Sequence, residues 1–260
     1  MNKELLLQCS LFSHFDNNVY SAEYVLEKAL MCKRAGVSAI HVHLNKFNSM
    51  DEFLRLAYLL EVYNGPLLNI SANDVMTTIQ YGANGYKSIG FAAIEGGTAT
   101  VFGNKINQTV QKASEEIEML LQNKIIPEIS VFNFESVENC INLYNRFGNQ
   151  FYVGIYMGYP GGMDSSMLNV ERVMDLLEKI PVVSFTIYNN QNDDLIRYIV
   201  ERGGHLRSGL EDSMYCGSAL ARDSIDIMNH IKRIIDETRV RSVKFFDKNS
   251  FRDYLLNFPS

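Results

Sequence analysis

Residues 21–44 read SAEYVLEKALMCKRAGVSAIHVHL, and a change of rhythm inside them points to the fold. Ser21 opens a helical period that Gly36 closes. The chain then turns into SAIHVHL, a short apolar run bounded by turn signals, as a buried strand requires. The same alternation extends in both directions. LLLQCSL (5–11) is a strand before the first helix, and a second helix runs from Met50 to about Tyr63. PLLNIS (66–71) is the third strand, followed by a short helix near 73–81, and residues 87–94 form a weaker fourth strand. VQKASEEIEMLLQNK is strongly amphipathic and is followed by the strand IPEISVFNF and the helix SVENCINLYNRFG. QFYVGIYM with NVERVMDLLEKI, and PVVSFTIY with DDLIRYIVERG, give the sixth and seventh units. GHLRSGL and a helix from about 219 to 237 give the eighth, and a tail helix is expected near 249–256.

Eight strand–helix units in 260 residues predict a (β/α)8 TIM barrel, with an open doubly wound sheet as the competing arrangement. No linker or low-complexity segment divides the chain, so residues 1–260 are expected to be one barrel domain. The longer connections, 44–50, 95–104, 157–168 and 211–218, all follow strands. In a barrel they lie on the catalytic face. Composition is that of an ordinary soluble globular protein: 47% of residues are hydrophobic and 21% charged. A formal charge of −6 argues against a nucleic-acid binder, which needs a basic face. No apolar run suffices to span a bilayer, and MNKELLLQCSLFSHF lacks a signal-peptide cleavage site. Cys9, Cys32, Cys140 and Cys216 are scattered, so reduced thiols in a cytoplasm are the expectation.

His41 and His43 stand two apart on the second strand, which turns both imidazoles to one face. On the eighth strand, His205, Arg207, Gly209 and Glu211 share a face by alternation if the strand stays extended that far. Both strands flank the first, so Glu211 can approach the histidine pair. Two imidazoles and a carboxylate form a complete protein ligand set for a catalytic divalent metal. The set suits zinc, and also iron(II), nickel or cobalt. The bland alternative, two hydrogen-bonded core histidines, must satisfy two rings inside one apolar strand. Arg207 offers a planar fork for a substrate carboxylate or enolate oxygen, and Asp212 can orient it or act as a base. A salt bridge closing the last loop is the other reading of this pair. Gly209 leaves room for a ligand above the strand, or marks a bulge.

HVH, PGGM (160–163) and GGHLRSGLED (203–212) together resemble the β-keto acid cleavage enzymes, a family that includes the 3-keto-5-aminohexanoate cleavage enzyme. AGVSAIHVH, NIS (69–71) and PE (127–128) extend the likeness along nearly the whole chain. The resemblance implies a zinc-dependent barrel that condenses a β-keto acid with acetyl-CoA, giving acetoacetate and a new CoA thioester. It implies His41, His43 and Glu211 as metal ligands, and Arg207 with Asp212 as the pair that starts the reaction by proton abstraction. It implies Ser71 in the substrate pocket, with Gly161 and Gly162 letting backbone approach the ligand. Family members are homo-oligomers, so a homo-oligomer is expected, with no nucleic-acid or membrane partner.

The chain also departs from the family. Ser71, Ala72, Asn73 and Asp74 stand where a serine, a threonine and two glycines are usual. Ala93 replaces a threonine, Glu95 an asparagine and Ser130 the second strand-five glutamate. FSHF, with His14, replaces the segment that follows T-G-A with a glutamate. A pocket with altered hydrogen-bond partners prefers a different substrate. The alternatives are another metal-assisted aldolase or lyase using an enolate, and a metal-containing barrel that binds an acidic metabolite without turnover.

Overall fold

The computed structural model describes residues 4–13, 16–81, 85–238, 244–245 and 248–257. His14 lies outside them. The eight barrel strands are β1 Leu7–Ser10, β2 Ala39–Val42, β3 Leu67–Ile70, β4 Ile89–Glu95, β5 Ile126–Val131, β6 Tyr152–Met157, β7 Val183–Ile187 and β8 His205–Gly209. All pair in parallel, and the sheet closes with β8 against β1. The fold is a TIM barrel. The helices are α1 Ala22–Arg34, α2 Met50–Val62, α3 Val75–Gln80, α4 Val110–Gln122, α5 Phe134–Phe147, α6 Met167–Leu176, α7 Asp193–Arg202, α8 Ser224–Glu237 and the tail helix α9 Lys248–Asn257.

Local chemistry explains where the outer helices begin. Ser21, Ser49, Thr109, Asn133, Ser166, Asn192 and Asp223 each accept a hydrogen bond from a backbone N–H of the first turn. The helix expected from 219 starts instead at Ser224, because Asp223 is its cap and Ala219–Leu220 pair with Tyr215–Cys216 as a small hairpin. A second hairpin, Ala99–Val101 with Asn104–Ile106, occupies the long connection after β4. Neither hairpin was foreseen.

The bottom of the barrel is filled by Leu6, Ala39, Leu67, Phe91, Ile126, Tyr152 and Val182, and α9 closes it with Phe251 and Leu255. One layer higher the interior turns polar. Glu128 accepts from Asn69 Nδ2 at 2.5 Å, from the Tyr152 hydroxyl at 2.5 Å and from the Tyr156 hydroxyl at 2.9 Å. Gly154 leaves the room this needs, since a Cβ there would lie 2.3 Å from Glu128 Oε1. No described helix is long and apolar enough to cross a membrane.

Candidate metal and substrate site

Ser10 on β1 is the register partner of His41 on β2 and of Gly209 on β8. The end of β8 and the histidine strand therefore reach the same height with one strand between them. His43 follows β2 in extended backbone, so its ring stays on the face of His41. Glu211 arrives differently from expectation. Strand β8 stops at Gly209, whose carbonyl accepts from the N–H groups of Asp212 and Ser213, so a turn and not an extended strand delivers the carboxylate. Gly209 is required there: its φ is +151°, and a Cβ would meet the Ser10 carbonyl oxygen at 2.0 Å.

The two rings and the carboxylate converge. His41 Nε2 and His43 Nε2 are 3.3 Å apart, His43 Nε2 lies 3.3 Å from Glu211 Oε1, and His41 Nε2 lies 3.8 Å from Glu211 Oε2. Ligands of a tetrahedral zinc are separated by about 3.4 Å at ordinary bond lengths, so the donor set fits a divalent ion. Burial, with the nearby Arg207 charge adding to it, holds His41 well below its ordinary pKa and therefore neutral, the form a metal needs. Its Nδ1 is buried with no hydrogen-bond partner, so packing and whatever meets Nε2 orient the ring. His43 Nδ1 faces Asp74 Oδ2 at 3.9 Å, and that carboxylate is itself fixed by the Leu44 N–H. Burial works to raise Glu211, but the charges around it outweigh burial and keep its carboxyl well below the usual carboxylate range. His41, Arg207 at 3.3 Å and the hydrogen bond with His43 all act in that direction.

Arg207 sits deep in the barrel and is held on every side. Its Nε and Nη2 donate to the two oxygens of Asp212 at 3.2 and 3.1 Å, and its Nη1 donates to the Tyr156 hydroxyl at 2.8 Å. Asp212 also accepts from Ser10 Oγ at 2.7 Å and from the Tyr159 hydroxyl at 2.8 Å. Burial raises the Asp212 carboxyl above its ordinary value despite Arg207. Tyr156 joins this pair to the polar layer below, accepting from Arg207 and donating to Glu128. Tyr156, Tyr159 and Ser10 were not singled out from sequence, because a tyrosine or serine in or just after an apolar strand carries no sign of which carboxylate it will meet.

These groups open on a cavity of about 540 Å³ lined among others by His41, His43, Glu211, Arg207, Ser71 and Glu95. The altered positions Ala93 and Ser130 line it as well. Gly161 and Gly162 have other neighbours. Gly161 has φ +88° and lies against the carbonyl of Thr100 in the β4 hairpin, 2.2 Å from where its Cβ would be, and Gly162 backs onto the carbonyls of Phe132 and Tyr159. Their small size seats one loop on another. His205 is also structural: its Nδ1 accepts from the Leu6 N–H at 2.8 Å, and burial lowers it to about 3.

Residues 20–244 match the family described as beta-keto acid cleavage enzyme. Among solved structures, the ternary complex of ObcA with C4-CoA adduct and oxalate aligns with a TM-score of 0.65 at 14% identity, over 90% of this chain and 66% of that one. The binary complex of ObcA with oxaloacetate aligns with a TM-score of 0.66 at 14% identity over the same shares. The chain thus spans slightly less than two thirds of ObcA. Orotidine 5′-phosphate decarboxylase from Pyrococcus horikoshii OT3 aligns with a TM-score of 0.55 at 13% identity, over 90% of this chain and all of the other. At these identities the likeness establishes the fold, which hosts many chemistries. No curated protein matches significantly.

Proposed function

This chain belongs to the β-keto acid cleavage enzyme family, and on that premise we propose that it condenses a β-keto acid with acetyl-CoA in a metal-dependent reaction. In the exchange, the bond between the α and β carbons of the β-keto acid is broken, and the α carbon is joined to the acetyl group of acetyl-CoA. The products are acetoacetate and the CoA thioester of the remaining acyl group. The observation that carries the reading is the convergence of His41, His43 and Glu211 on one cavity with Arg207, which the fully buried Asp212 holds from behind.

His41, His43 and Glu211 would hold the divalent ion, zinc first among the candidates, and a bound ion would supply Lewis acidity toward the β-keto oxygen. Arg207 spends N–H groups on Asp212 and Tyr156 and keeps a second N–H on Nη1 for an oxygen of the substrate. Asp212, locked by Ser10 and Tyr159, aims that guanidinium, and since the guanidinium already carries its full set of protons, the proton leaving the α carbon ends on the Asp212 carboxylate. Burial shields the developing negative charge from water and strengthens its attraction to Arg207. Ser71, which is buried and lines the cavity, contributes a hydroxyl to the substrate. The homo-oligomeric state belongs to the proposal too. α2 exposes Tyr58 and Val62 near its end, a face that a second copy can cover and sedimentation can read.

The test is product analysis. Zinc-loaded protein given acetyl-CoA and a panel of β-keto acids is expected to release acetoacetate together with the matching acyl-CoA, both read by mass spectrometry. Cleavage without CoA consumption would instead identify a lyase, and binding without any product would leave a sensor or carrier of acidic metabolites.

A further inference from the structure

Glu95 is the last residue of β4, at the mouth of the barrel, and is the register partner of Ser130 on β5. Its side chain lines the same cavity as His41, His43, Glu211 and Arg207. Those four come from β2 and from β8 with its turn. Glu95 belongs to the fourth strand, beyond β3, so the cavity runs between them.

Its Oε2 is buried and has no hydrogen-bond partner. A buried carboxylate oxygen without a donor is costly, and a structural carboxylate in a well-packed barrel finds one, as Glu128 and Asp212 do. No described cation makes an ion pair with Glu95. Lys112, which also lines the cavity, is 3.7 Å from Glu116. Nor is the missing partner a matter of loose backbone. The Gly96 N–H donates to the Ser130 carbonyl at 2.8 Å, Asn139 Nδ2 donates to the Gly96 carbonyl at 3.1 Å, and Asn133 Nδ2 donates to the Thr98 carbonyl at 2.9 Å. The end of β4 is pinned against β5 and α5, and it holds a carboxylate that borders the ligand space with one oxygen buried and unsatisfied.

We propose that Glu95 is a specificity-determining residue that accepts a hydrogen bond from a hydroxyl or ammonium group on the acyl chain of the β-keto acid. The inference rests on the cleavage reading only for the identity of the ligand. A β-keto acid whose carboxylate and keto oxygens meet Arg207 and the His41–His43–Glu211 cluster extends its acyl chain across the cavity toward β4. Burial, with the charges of Glu116 and Glu128 adding to it, pushes the Glu95 carboxyl up to about 7, so a cationic or hydroxylic donor that meets it relieves an environment hostile to its charge. Selectivity follows because a ligand lacking the donor leaves the acceptor unpaired.

Binding tests this separately from turnover. Zinc-loaded protein is titrated calorimetrically with 3-oxopentanoate, 5-hydroxy-3-oxopentanoate and 5-amino-3-oxopentanoate. Wild type is expected to bind at least one donor-bearing acid about tenfold or more tightly than 3-oxopentanoate. Glu95→Met, close in volume and apolar, should bring the Kd values within about twofold at unchanged zinc content, with a melting temperature equal to or above wild type. Glu95→Gln separates the two donors: it should lose a preference for the ammonium and keep one for the hydroxyl. Equal discrimination in wild type and Glu95→Met overturns the assignment. So does a wild type that binds none of the three or all within about twofold, or a Glu95→Met protein that melts well below wild type. Should the preference hold while no β-keto acid yields acetoacetate, the cleavage reading falls and the role of Glu95 stands. Turnover without the preference is the reverse case.

Discussion

Arg207 is 3% exposed, yet its charge is not stranded. Asp212 takes the fork of the guanidinium, Glu211 lies beside it, and Tyr156 receives its third edge. Burial works against the cation, but these neighbours outweigh it and hold the guanidinium well above its ordinary value. Lysine keeps the charge and loses the fork, so Arg207→Lys is expected to lower turnover by roughly a hundredfold or more with zinc content unchanged. An Arg207 that served only to hold the last turn would give a lysine variant of near-normal activity and lower melting temperature. The histidines behave in the opposite way. His41→Ala removes a ligand without touching the Arg207–Asp212 contacts, so zinc occupancy should collapse while circular dichroism stays that of the folded barrel. Unchanged zinc content in that variant would remove His41 from the ligand set.

A single glycine decides how the last strand ends. Gly209 takes a backbone conformation that other residues adopt only under strain, and it lies against the carbonyl of Ser10. The turn that follows delivers Glu211 to the histidines and Asp212 to Arg207. Gly209→Ala is therefore expected to cost about 2 kcal/mol or more in denaturant unfolding and to weaken zinc binding, because Glu211 moves with the turn. Unaltered stability and zinc affinity would show that the turn tolerates the side chain. The same residue shows what sequence reading can and cannot reach. The meeting of His41, His43 and Glu211 was legible, and so was the strand–helix alternation, because period and caps are local properties of the chain. The alternation argument carried Glu211 to the right place by the wrong route, since the twist of β8 against β1 is a contact between residues almost two hundred positions apart. The hairpins at 99–106 and 215–220 were illegible for a related reason: pairs of two or three residues leave no periodic trace. Gly161 stood out as a glycine, but its close neighbour, the Thr100 carbonyl, belongs to a hairpin that the sequence does not announce.

The barrel closes where β8 meets β1, and the cluster of His41, His43 and Glu211 straddles that closure with one ligand-bearing element on either side of β1. An ion held there would bind the folded barrel and find no such site in the unfolded chain, because its ligands are separated by about 170 residues and assemble only when the sheet is closed. Loading should then stabilise the whole molecule by mass action. At free zinc a hundredfold above Kd, the gain is about 2.7 kcal/mol. For a chain of this size each kilocalorie moves the melting temperature by about 2–4 °C, so zinc should raise it by roughly 5–10 °C over protein treated with chelator. His41→Ala should show no such rise at the same zinc concentration, which separates binding at this cluster from weak binding elsewhere on an acidic surface. Differential scanning calorimetry of the two proteins, each with zinc and with chelator, reads all four values. A wild-type barrel that melts at one temperature in both conditions would show that the three side chains meet for a reason other than metal. The neutral His41 would then have to be explained by packing alone.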